Sequence, residues 1–171
     1  MKIGYPCINR SLDCRGNRTF RLKSYSKKRL IETVENNLEC LQKMLEFNIE
    51  KGLYFFRINS DLVPFDSHEM NDFDWRDHFE KEFEKIGDII QENEIRINMH
   101  PDQFIVLNSD KEEVYKDSVE ELWYHAEVLD SLELDKNAKI QLHVGGVYGD
   151  KERSMERFTE RYSRSRRQHQ E

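Results

Sequence analysis

The sequence contains no run of about 18 consecutive apolar residues, so it offers no segment able to cross a bilayer as a helix. Nor do its first residues, Met1-Lys2-Ile3-Gly4-Tyr5, show the apolar stretch and small-residue cleavage site of a secretory signal. Both absences point to a cytoplasmic protein with no membrane partner. Cysteine is scarce: Cys7, Cys14 and Cys40 are odd in number and lack Cys-x-x-Cys spacing. Three free thiols in a reducing compartment are expected, with a Cys7–Cys14 bridge as the weaker alternative. No Gly-x-Gly-x-x-Gly or Walker-type segment occurs, which argues against nucleotide binding through a glycine-rich phosphate loop. An excess of positive charge is missing too, and a net charge of −7 sits awkwardly with nucleic-acid binding.

What is present describes a globular chain. Hydrophobic residues make up 37% and charged ones 36%, and aromatics at 11% argue against disorder. The 171 residues suffice for one ordinary domain with a real core. The charge is unevenly spread. From Arg15 to Arg29 the chain reads RGNRTFRLKSYSKKR, with no acidic residue. Such a stretch can grip phosphates locally while the rest of the surface stays acidic. Arg15, Arg18, Arg21 and Lys23 are its candidate phosphate contacts, and the interleaved Phe20 and Tyr25 strengthen the reading as a DNA-contacting loop. The plain alternative is a solvated loop leading into a helix.

Periodicity alternates short apolar runs with amphipathic helices. Strands are expected at Lys2–Tyr5, Leu53–Asn59, Ile95–Met99 and Lys139–Val144. A long helix is expected over Lys27–Glu50, with Ser26 as N-cap and Leu30, Val34, Leu38, Leu41 and Leu45 on one face. Further helices are expected over Trp75–Glu92, from a capping box at Ser109-Asp110-Lys111-Glu112 through about Leu132, and from near Asp150. The resulting βα order predicts parallel strands with right-handed crossovers. It fits either a doubly wound sheet or part of a (β/α)₈ barrel. The residues that carry chemistry fall at the C-terminal ends of strands, which leans toward the barrel.

Three histidines share that location: His68 after the second strand, His100 ending the third, and His143 near the end of the fourth. In a barrel they converge on one mouth, and imidazole is a common ligand for divalent transition metals. Each alone reads as a structural histidine; three at equivalent positions read as a metal site. His78, His125 and His169 are expected at the surface. Pro101 stiffens the strand end behind His100, and Gln103 and Phe104 follow at the same mouth, where an amide and a ring can engage unpaired bases. No catalytic acid or base stands out.

The segment Asn98-Met99-His100-Pro101-Asp102-Gln103-Phe104-Ile105-Val106-Leu107-Asn108-Ser109 closely resembles the hallmark motif of UV-damage endonucleases. So do Ile3-Gly4-Tyr5 with Cys7-Ile8-Asn9, Arg18-Thr19-Phe20-Arg21-Leu22, Arg57 through Leu62 with Pro64, Ser67 and His68, and His143 through Lys151. The resemblance runs in consistent order from residue 3 to about residue 158. It implies a TIM barrel that holds divalent ions, usually manganese, and cuts DNA on the 5′ side of UV photoproducts. It implies metal ligation by His68, His100 and His143, and lesion probing by Tyr5, Asn9, Gln103 and Phe104. The family pattern has Tyr where Phe104 stands; stacking survives that change, and a hydroxyl hydrogen bond is lost.

The fold class expected is therefore α/β, a partial TIM (β/α)₈ barrel of about four βα units. Residues 1–158 make the N-terminal half of the barrel, and 159–171 an atypical polar tail that reads as a premature end. A basic DNA-binding tail is the alternative. A half barrel should leave two open sheet edges and an uncovered apolar inner face, so a separate C-terminal half or self-association is expected. UV-damaged double-stranded DNA is the expected partner, with impaired incision by this chain alone. A metal-dependent sugar isomerase or epimerase of the same barrel type, and a non-catalytic fragment or subunit, are the competing readings.

Overall fold

The computed structural model describes residues 1–68 and 70–168. Four parallel strands, β1 (Gly4–Pro6), β2 (Phe55–Ile58), β3 (Arg96–Met99) and β4 (Lys139–Ile140), lie side by side in sequence order. Consecutive order with no reversal is the winding of a (β/α)₈ barrel and not of a doubly wound sheet, whose order must switch direction. The fold is α/β and corresponds to part of such a barrel.

The helices cover one side of this sheet. Helix α1 (Lys27–Glu50) starts where its sequence predicts, with the Ser26 hydroxyl accepting the Arg29 N–H at 3.2 Å. Its apolar stripe of Leu30, Val34, Leu38, Leu41 and Leu45 packs with Phe56, Ile58, Ile97 and Met99 from the strands. The helix expected over Trp75–Glu92 is two pieces, α2 (Trp75–His78) and α3 (Glu80–Glu92), divided at Phe79 with φ −110° and ψ 18°. All three of Trp75, Phe79 and Phe83 are thereby buried in the core, with the Trp75 and Phe83 rings 5.1 Å apart.

Helix α4 (Glu112–Ser131) begins later than a capping box would place it. The Ser109 hydroxyl accepts the Lys111 N–H within a tight turn and leaves the first turn of α4 without a side-chain cap. Strand β4 ends at Ile140, short of the expected Val144, because it pairs on one side only and Gly145 (φ +102°) turns the chain away. Helix α5 (Lys151–Gln168) crosses residue 158 without a break. No helix among the described residues is long and apolar enough to span a membrane.

Two expectations about the scaffold are corrected. The inner face of the sheet is polar, not apolar. Alternation along strands puts Phe56, Ile58, Ile97 and Met99 against the helices and turns Arg57, Asn98 and Gln141 the other way. There the Arg57 guanidinium and the Asn98 amide both donate to Gln141 Oε1, at 2.6 and 2.7 Å. The thiols are not all free either: Cys14 and Cys40 are bonded, with Cα atoms 5.5 Å apart, and Cys7 stays free. The 10–24 loop folds back onto α1 and brings this pair together, a long-range approach that a 26-residue spacing does not announce.

Candidate metal and DNA site

The C-terminal strand ends gather His100 and His143. Their rings stand 4.8 Å apart between centroids at an interplanar angle of 65°. His100 Nδ1 lies 2.6 Å from the Pro101 carbonyl, which can only accept, so Nδ1 carries the proton and Nε2 presents a free lone pair. That tautomer leaves Nε2 able to ligate a metal while Nδ1–H is held by a carbonyl. His68 is differently disposed: its Nδ1 accepts the Met70 N–H at 3.1 Å, which leaves the proton on Nε2. Among the described residues no three His, Cys, Asp or Glu side chains approach closely enough to hold an ion. The donors thus amount to two convergent imidazoles, with the third expected one turned to its own loop.

Of the candidate lesion-probing residues, Gln103 and Phe104 form an exposed tip, with Phe104 66% exposed. Tyr5 and Asn9 are placed otherwise. Asn9 is buried, donates to Tyr5 Oη at 2.6 Å and accepts the Ser11 N–H at 2.8 Å, while Tyr5 packs edge-on against Phe56. They brace the loop leaving β1 and do not protrude.

Arg15, Arg18, Arg21 and Lys23 are all exposed and form no ion pair among the described residues. Phe20 and Tyr25 instead turn inward. Phe20 sits 5.1 Å from Phe65 and under the Arg29 guanidinium, and Tyr25 donates to Asn71 Oδ1. The rings anchor the basic loop rather than offer a stacking surface. The loop's main attachment is Asn37, fully buried on α1. Its Oδ1 accepts the Arg18 N–H, and its Nδ2 donates to the carbonyls of Arg18, Asp61 and Leu62. One side chain therefore ties the basic loop to the turn that follows β2.

The loops after β3 and β4 are joined by Asn108, also buried, whose Nδ2 donates to the carbonyls of Gly146 and Ser154. This role is invisible in the motif that contains it. It explains Gly145: a Cβ there would lie 2.1 Å from Asn108 Oδ1, at a φ of +102°. Gly145→Ala is expected to cost at least about 2 kcal/mol in chemical denaturation; an unchanged midpoint would contradict this packing. The arginines of α5 serve the same turn: Arg157 donates to the Asn108 carbonyl, and Arg161 to those of Leu107 and Ser109. Both face the protein, and of the two Arg161 lies in the 159–171 tail.

His125, expected at the surface, is fully buried on α4. An apolar neighbourhood read from sequence cannot separate the two faces of a helix as mixed as α4. Its Nδ1 donates to the Glu121 carbonyl at 2.7 Å, and Nε2 is buried with no hydrogen-bond partner among the described residues. Burial holds its pKa below the ordinary 6.5. A histidine kept neutral stabilises the fold fully above that value and less as pH falls through it. Burial raises Asp61, Asp66 and Glu121, which act in the opposite sense just above the ordinary carboxylate range. Melting temperature should thus fall between pH 7 and about pH 5.5, and His125→Gln should flatten that slope. A slope unchanged in the variant would assign it to other groups. His78 lies against Phe73 and Phe79, 5.2 and 4.7 Å from their rings, and His169 lies outside the described residues.

Comparison with known proteins identifies the family. The family model described as UV-endonuclease UvdE matches residues 1–169. A UV DNA damage endonuclease of Clostridium perfringens (strain 13 / Type A) is 46% identical over 158 residues, covering 92% of this chain and 38% of the relative. One from Bacillus thuringiensis subsp. konkukian (strain 97-27) is 33% identical over 168 residues, covering 94% and 53%. The crystal structure of SacUVDE superposes with a TM-score of 0.93 at 43% identity, covering 96% of this chain and 56% of that one. The chain spans about half the length of these relatives, or less. The sugar isomerase or epimerase reading gives way to these matches: the chain belongs to the UV-endonuclease family.

Proposed function

We propose that this chain supplies the N-terminal part of a DNA-repair nuclease that nicks DNA on the 5′ side of UV photoproducts by metal-assisted phosphodiester hydrolysis. The convergence of His100 and His143 beside the exposed Gln103–Phe104 tip supports this reading best. His100 Nε2 and the His143 ring would hold a divalent ion such as manganese, with His68 joining once its bond to the Met70 N–H is released. A bound ion of this kind supplies hydroxide near neutral pH and stabilises charge on the phosphate and the leaving oxygen.

The chain's own residues do the rest. Arg15, Arg18, Arg21 and Lys23 hold the DNA backbone, and a loop of four exposed cations can do so despite the net charge of −7. Phe104 stacks where damaged bases leave the helix, with Gln103 beside it to hydrogen-bond their edges. Photoproducts stack poorly, so extruding them costs less than extruding ordinary bases, which contributes selectivity. Two convergent imidazoles carry no negative charge, whereas a nuclease ion cluster needs carboxylates. Carboxylates would therefore have to reach these imidazoles from another segment or from a complementary half.

The test is strand incision of a 5′-labelled duplex carrying one pyrimidine dimer, with manganese. Little or no cutting by this chain alone is expected, with lesion-specific incision restored by adding the C-terminal half of the Clostridium perfringens relative. Robust incision by the chain alone would refute the proposed dependence on the other half. Absence of incision in the mixture, despite formation of a complex, would count against the nuclease reading.

A further inference from the structure

Helix α4 contributes no candidate ligand, yet one of its faces reaches both loops that carry His68 and His100. Tyr124 is buried there, 2% exposed, with its ring 6.5 Å from that of Trp75. Its hydroxyl donates to the Ser60 carbonyl at 2.7 Å and accepts the Val63 N–H at 2.9 Å. Ser60 in turn donates from Oγ to the main-chain carbonyl of His100 at 2.8 Å. One turn earlier on the same face, Glu121 accepts from Ser67 Oγ at 2.8 Å, directly beside His68. Burial keeps the Tyr124 phenol protonated at any working pH, so its hydroxyl always has a hydrogen to donate.

We propose that Tyr124 is a positioning residue for the metal site, setting the place of His100 through Ser60. The proposal rests on the reading of His100 as a ligand. The physical reason lies in where the hydrogen bonds fall. β3 ends at Met99, so beyond it the sheet no longer fixes the main chain that carries His100. The Ser60 hydroxyl is the next restraint, and Ser60 is itself fixed by an aromatic side chain locked in the core. A displacement of His100 of about 1 Å is enough to spoil a ligand constellation. Partners behind metal ligands typically cost 10–100-fold in metal affinity when removed, roughly.

The test uses the full chain and two readouts. The first, without metal, is the nuclear Overhauser effect between the His100 and His143 rings together with the His100 ring shifts. The second is manganese affinity by electron paramagnetic resonance. Tyr124→Phe keeps the ring and removes both hydroxyl bonds, and Ser60→Ala removes the link to His100. Each should weaken the Overhauser effect and lower manganese affinity about 10-fold or more. The double variant should be no worse than either single one, and Ser60→Thr should restore the ring-to-ring signal. Ile90→Val, a core change at the far end of α3, controls for general loosening.

A wild-type Overhauser effect in Tyr124→Phe, additive effects of the two changes, or an equal effect from Ile90→Val would each overturn the proposal. So would a wild-type chain in which the two rings give no such signal at all. Failure of the wild-type chain to bind manganese, with the two rings moved apart in both variants, would overturn the metal reading and with it the role of Tyr124 toward a metal, leaving only a structural link from Tyr124 to His100.

Discussion

Asn37→Ala is expected to lower stability by about 3 kcal/mol, a fall in melting temperature of about 6–12 °C for a chain of this size. The number follows from what the amide does. Five hydrogen-bond contacts end on it: the Arg18 N–H and the Asn36 amide donate to its Oδ1, and its two Nδ2 hydrogens are shared among the carbonyls of Arg18, Asp61 and Leu62. Each is worth about 0.5–1.5 kcal/mol net, and groups left unpaired away from water cost more. Asn37→Asp should be no better, because a carboxylate would face three carbonyl oxygens it cannot donate to. The loss should be local as well as global. With its anchor gone, the 10–24 loop would be held by the Cys14–Cys40 bond, the Asn36 amide on the Arg15 carbonyl and the packing of Phe20. Trypsin should then cut after Arg15, Arg18 or Arg21 well before it cuts elsewhere. Calorimetry and timed proteolysis decide the matter: a melting temperature within 2 °C of wild type, roughly the shift of a ~0.5 kcal/mol surface change, would show that other interactions hold the loop.

The second large effect separates the loop's charge from its anchoring. Replacing Arg15, Arg18, Arg21 and Lys23 together with alanine should weaken DNA binding about a thousand-fold near 0.1 M salt. It should also reduce the slope of log affinity against log salt by about 3–4, at about 0.9 per phosphate contact. Stability should stay within about 0.5 kcal/mol, because all four side chains are exposed and make no ion pair among the described residues. Fluorescence anisotropy on an undamaged duplex across a salt series reads both numbers. An unchanged slope would remove this loop from the DNA interface. Binding that disappears together with the fold would mean that the cations are structural. Asn37→Ala and the fourfold variant thus predict opposite patterns, one moving stability first and the other binding alone.

Much of the scaffold could be read from spacing. The stripe from Leu30 to Leu45 placed α1 with both boundaries correct, because Ser26 caps it and Gly52 stops the chain just beyond it. The βα alternation predicted parallel strands, since crossovers of that length have no other arrangement. The order of the strands was not in the pattern: a doubly wound sheet and a barrel share the same alternation. That His100 and His143 lie together could be read from the sequence because both follow neighbouring strand ends.

What remained hidden depends on approaches between distant segments. The bond between Cys14 and Cys40, the burial of His125, and the Tyr124–Ser60–His100 chain join residues far apart in sequence, and no local periodicity carries that information. Arg57 shows the limit well. In LYFFRIN it is the charged member of an apolar strand, and period-two alternation already turns it away from Phe56 and Ile58. Only the sheet reveals that the surface it faces is lined by Asn98 and Gln141, and is therefore polar. The sequence by itself determined the order of helices and strands and which family motifs they carry, and singled out candidate metal and phosphate contacts, because those depend on residue type and local spacing. Tertiary structure alone decided which of those side chains meet, because hydrogen bonds and core packing between segments, and not propensity, fix the place of His100 against His143 and turn His68 away.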